Sequence, residues 1–71
     1  MTEKELALQH LTQAITKLER ACDHVCKIED ILGSSTSESL FRLRIDVLHN
    51  HLQLKDWICR LEQFEVLLEG A

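Results

Sequence analysis

Residues 40–69 read LFRLRIDVLHNHLQLKDWICRLEQFEVLLE, and this stretch is apolar on two opposite faces of one helix. Leu40, Val47, Leu54, Leu61 and Leu68 recur every seventh residue. Leu43, Trp57 and Phe64 fill the intervening positions, with Asn50 as the polar exception. Such a pattern is a heptad seam with apolar residues at a and d. A second set, Phe41, Ile45, Leu48, Leu52, Cys59 and Val66, falls at b and f on the far side of the same helix. If the first seam packs inside the chain, the second faces water or another molecule. Apolar patches of that size are seldom left exposed on soluble monomers. These six residues are therefore the expected partner-binding surface.

Working outward, Gly33 precedes Ser34-Ser35-Thr36-Ser37, the one polar low-complexity stretch. Gly is the usual left-handed residue at a helix end, so a turn is expected over residues 33–37. Ser35 with Glu38 fits a capping box, and Ser37 is a competing N-cap. Upstream, Thr2 with Glu5 forms another such box, opening a first helix over about residues 3–32. The second helix is expected over about 38–69, with Gly70 stopping it.

The first helix has its own seam, with Leu11, Leu18, Val25 and Leu32 at a and Ala7, Ala14, Ala21 and Ile28 at d. Leu8, Ile15 and Cys22 widen the stripe at e. Folding at the Ser-rich turn pairs residues whose numbers add to about 71 or 72. Ala7 then opposes Phe64, Ala14 opposes Trp57, Ala21 opposes Asn50, and Ile28 opposes Leu43. In the alternate layers Leu11 opposes Leu61, Leu18 opposes Leu54, Val25 opposes Val47, and Leu32 opposes Leu40. Large residues set against small ones conserve core volume. The expected fold is all-α: residues 1–71 form a single antiparallel two-helix hairpin of coiled-coil type that assembles into a larger helical bundle.

Composition narrows the function. At 71 residues, a single core is barely sufficient for stability. A hydrophobic fraction of 45% excludes disorder. No apolar run approaches the ~20 residues of a membrane-spanning helix. The start, Met-Thr-Glu-Lys-Glu-Leu, lacks a secretory pattern, so a cytoplasmic location is expected. A net charge of −4, with Lys17, Arg20 and Lys27 interspersed among Glu19, Asp23 and Asp30, argues against nucleic acid.

Three cysteines do not close a disulfide framework. Cys22 and Cys26 share a helix face, but His24 points elsewhere, so they read as small buried hydrophobes. His49 and His51 diverge around the helix, and His51 reads as a rim residue. Glu3, Glu5, Glu19, Asp23, Glu29 and Asp30 read as surface charges. Nucleophile elbows, phosphate loops and zinc-protease patterns are missing. The expectation is a non-enzymatic protein with no catalytic residues, no cofactor and no metal site.

The hairpin layout and the stretch Leu11-Thr12-Gln13-Ala14-Ile15-Thr16-Lys17-Leu18-Glu19-Arg20 resemble the small needle-subunit co-chaperones of bacterial type III secretion systems. That resemblance implies a cytosolic hairpin that pairs with a tetratricopeptide-like partner and keeps the needle subunit soluble before export. The first helix here is longer after Arg20, so no partner contact is transferred residue by residue. A self-assembling four-helix-bundle protein is the alternative. The alternating small and large layers also resemble plasmid copy-control hairpins that bind paired RNA loops, although a basic and aromatic RNA face is missing.

Overall fold

A computed structural model describes residues 2–71. Helix α1 spans Glu3–Gly33, a short helix α2 spans Glu38–Arg42, and helix α3 spans Arg44–Glu69. Helices α1 and α3 lie antiparallel, giving a rod of 54 × 17 × 11 Å. At its open end the Lys4 ammonium donates to the Glu69 carbonyl at 2.8 Å and to the Ala71 carbonyl at 3.2 Å. Cations suit a helix C-terminus because its last carbonyls lack partners within the helix.

Helix α1 begins where its cap places it: the Thr2 hydroxyl accepts from the Glu5 N–H at 3.1 Å. Its other end differs from expectation. Gly33 is the last residue of the helix, and Ser34 caps it in a right-handed conformation. No glycine among the described residues has positive φ. A Cβ at Gly33 would meet only the flexible Arg44 side chain, at 3.5 Å or more. The Ser34 N–H and hydroxyl both reach the Asp30 carbonyl, satisfying the helix end without a left-handed residue.

Ser35 accepts from the Ser37 N–H at 3.1 Å, and this local side-chain turn reverses the chain. Ser37 stands at the N-cap position of α2, without a side-chain capping bond. The helix expected over 38–69 is interrupted at Leu43. There the N–H donates to the Leu40 carbonyl, three residues back, a tightening that separates α2 from α3.

The short helix moves the pivot of the hairpin. Cys26 lies against His51, and Gly33 lies against Arg44, pairs whose numbers add to 77 rather than to 71 or 72. The seam is rotated as well. On α1 the least exposed positions are Leu8, Leu11, Ile15, Leu18, Cys22, Val25, Glu29 and Leu32, with Ala14 and Ala21 beside them. On α3 they are Val47, His51, Leu54, Ile58, Leu61, Glu65 and Leu68. Both series step alternately by three and four residues, as a seam requires. They combine the expected a positions with e, and they leave d outside. Trp57 is 50% exposed and Phe64 is 52% exposed, so neither packs in the expected core layer against an alanine. Leu43 and Asn50 are exposed too.

The physical reason lies on α1. Leu8, Ile15 and Cys22 at e carry more apolar surface than Ala7, Ala14 and Ala21 at d, so rotation toward e buries more of α1; on α3 it exposes Leu43, Trp57 and Phe64, and the pairing of His51 with Glu29 is formed instead. Even so, the core is thin. Among the described residues, Leu11 and Ile15, each 8% exposed, are the buried hydrophobic residues.

Candidate functional site

The six residues expected to form a partner surface are Phe41 on α2 and Ile45, Leu48, Leu52, Cys59 and Val66 on α3. All six are exposed. Ile45 is 61% exposed and Leu52 56%. At ~100° per residue, the rotated seam leaves this stripe about 100° away, on the flank of α3 opposite Trp57 and Phe64, and Val66 lines a groove beside the seam itself.

The residues expected in the d layers of the core form a second apolar surface. Ile28, Leu43, Trp57 and Phe64 are exposed on one side of the seam. The opposite side carries the b/f stripe, and toward the open end it holds a shallow, mostly polar groove lined by Thr12, Ile15, Thr16 and Glu19 of α1 and by Glu62, Glu65 and Val66 of α3. Away from that groove, Ala14 and Ala21 flank the seam on α1, and Asn50 and Trp57 flank it on α3. The rotation thus gathers the small residues of α1 and the aromatic residues of α3 on one face of the rod.

Helix α3 consequently carries exposed apolar side chains on both flanks of the seam, with Asp46, His49, Gln53, Asp56, Arg60 and Gln63 behind them, whereas α1 is more one-sided. Apolar flanks of that extent ordinarily mark an interaction surface. In the lone hairpin α3 has one neighbour along its length, and Leu67, Val66 and Ile45 are its most exposed large hydrophobic residues.

Chemistry-bearing groups converge at one place. His51 is 7% exposed, the buried polar residue of the described chain. Its Nδ1 lies 2.8 Å from Glu29 Oε1, and the two side chains are 10% and 20% exposed. Cys26 Sγ stands 3.8 Å from Nδ1 and 3.6 Å from Nε2 of the same ring. Cys26 and Glu29 are three apart on α1 and so share a face; the seam then delivers His51 from α3. The rim position expected for His51 and the surface position expected for Glu29 are both corrected. Each polar group becomes tolerable inside the seam because the other satisfies it across the interface. No buried side-chain nitrogen or oxygen among the described residues lacks a partner.

The remaining ionic contacts are exposed pairs one turn apart, Arg42 with Glu38 at 2.6 Å and Arg60 with Asp56 at 3.0 Å. They contribute little to stability. All three cysteines are free. The surface depression beside Leu8 is lined by Glu5, Gln9, Thr12 and Gln13, all from α1, and so has no second wall. No described helix is long and apolar enough to cross a membrane. Comparisons with protein-family models, with curated proteins and with solved structures returned no match.

Proposed function

We propose that this chain is a non-enzymatic protein–protein interaction module whose α3 becomes an interior helix when a partner polypeptide covers it. The observation that carries this reading is the imbalance between a core of Leu11 and Ile15 and the exposed Phe41, Ile45, Leu48, Leu52, Trp57 and Phe64. Domains of this size commonly gain further apolar burial by association. Helix-in-groove recognition matches the geometry, with anchors spaced three, four and seven residues apart along α3.

Within that class, the proposed role is that of a cytoplasmic co-chaperone resembling those of type III secretion needles. A tetratricopeptide-like partner would cover the stripe from Phe41 to Val66, and the export subunit would be held on the aromatic face. A second reading is supported by the face that sets Ala14 and Ala21 beside Trp57. Such a face complements a copy of itself, since small residues on one hairpin leave room for aromatic residues of the other. The protein would then be a self-assembling four-helix bundle.

Light scattering on the chromatographed chain, alone and co-expressed with a tetratricopeptide partner, separates the two. A monodisperse dimer or tetramer supports self-assembly. Aggregation relieved by the partner supports the co-chaperone. A folded, monodisperse monomer indifferent to the partner contradicts both.

A further inference from the structure

We propose that Cys26, Glu29 and His51 form a zinc-binding site that clasps α1 to α3. Their ligand atoms all lie within 4.8 Å of one another, and they come from both long helices. A tetrahedral zinc with bonds of about 2.3 Å to sulfur and about 2.0–2.1 Å to nitrogen sets those two donors about 3.5 Å apart. Cys26 Sγ and the His51 ring nitrogens are 3.6 and 3.8 Å apart. The nitrogen–oxygen edge of the same tetrahedron is about 3.4 Å, so the 2.8 Å contact between Glu29 and His51 must open by roughly half an ångström. Sγ is almost equally distant from both ring nitrogens and so lies along neither lone pair. Rotation of the imidazole and the thiol about single bonds is the adjustment that closes the site.

The donor set selects the metal. Thiolate with imidazole favours zinc and its soft neighbours over magnesium or calcium, which take oxygen donors. The ion takes the place of the hydrogen bond between Glu29 and His51. Cys26 releases its proton to solvent, and the neutral imidazole bonds the metal through Nδ1 with its single ring proton on Nε2. Three protein donors leave the fourth position to water or an incoming ligand. Cys26 is exposed, which supplies an entry path. Because Glu29 and His51 satisfy each other in its absence, the hairpin folds first and loads the ion afterwards. The site shares no residue with the proposed partner surface, although Cys26 lies on the same flank of the hairpin as that stripe.

The test is cobalt(II) titration of the purified full chain under reducing conditions, with zinc as competitor. One equivalent per chain should produce a thiolate-to-cobalt charge-transfer band that zinc abolishes. Cys26→Ser and His51→Gln should remove the band, and Glu29→Gln should weaken binding by at least about tenfold. Cys22→Ser and Cys59→Ser should retain it. Absence of the band from the folded wild type, its survival in Cys26→Ser, or its loss in Cys22→Ser would overturn the assignment. Thiol alkylation of the wild type, read by peptide mass spectrometry, gives a test that requires no variant to fold. Zinc should protect Cys26 and leave Cys59 reactive; equal labelling of the two with zinc present refutes the site.

Discussion

Replacing Ile45 and Leu52 together by Glu should dissolve the assembly and leave the hairpin intact. The two side chains are 61% and 56% exposed in the isolated chain, so more than half of each is available for burial against a partner. Full burial of a Leu or Ile side chain is worth ~1.5–3 kcal/mol. The exposed fraction therefore represents about 1–2 kcal/mol per residue. In a two-fold symmetric dimer each residue is used twice, and the lost contact amounts to roughly 4–7 kcal/mol before any charge effect. At 1.4 kcal/mol per decade this weakens association by ~10³–10⁵-fold. A carboxylate forced into a desolvated apolar contact adds to the loss. Sedimentation velocity over a dilution series, with circular dichroism on the same samples, measures both halves of the prediction. Unchanged association in the folded double mutant would refute the surface assignment. Loss of helix with the same severity as Leu54→Glu with Leu61→Glu would instead put both stripes of α3 inside one core.

The core and the caps make separate predictions. Ile15→Ala removes one of the two buried hydrophobic residues and should cost ~2–5 kcal/mol in chemical denaturation, the upper end requiring that the cavity stay open. His51→Ala strands the half-buried Glu29 carboxylate and should cost ~1–3 kcal/mol, whereas Glu29→Gln with His51 retained should cost less. Thr2→Ala deletes the hydroxyl that accepts from Glu5 and should cost ~0.5–2 kcal/mol, seen as faster amide exchange in the first turn of α1. Trp57, the sole tryptophan, should emit at shorter wavelength in the assembled protein than in a dissociated Ile45→Glu/Leu52→Glu variant, if the aromatic face is covered as well.

Helix α1 was legible in the sequence because it is one-sided: Leu11, Leu18, Val25 and Leu32 admit a single inward direction, and Thr2 marks its start. Helix α3 was legible as a helix and illegible in its rotation. With apolar residues at a, d and f, its pattern does not choose between Trp57 and Phe64 on one flank and His51, Ile58 and Glu65 on the other. Polarity alone favours the aromatic flank. The opposite outcome depends on Glu29 meeting His51, and that pairing exists only in the register set by α2. The register in turn depends on Leu43, where a single bond to Leu40 ends one helix and starts the next. No residue in that segment announces such a break, since neither Gly nor Pro is present. The Cys26–Glu29–His51 cluster stayed hidden for the same reason: its i, i+3 half is visible on α1, but its third member arrives through the register. The exposed stripe from Phe41 to Val66 needed only the helical period, and it lies on the surface as the spacing requires.

Sedimentation equilibrium of the purified 71-residue chain tests the central claim most directly. An α3 with exposed apolar residues on both flanks of its seam should not persist in a free hairpin. The mass should be twice 8.2 kDa or more, or the chain should aggregate until a partner polypeptide is supplied. A helical, monodisperse species of 8.2 kDa at high concentration, unaltered by co-expressed partners, would contradict the account.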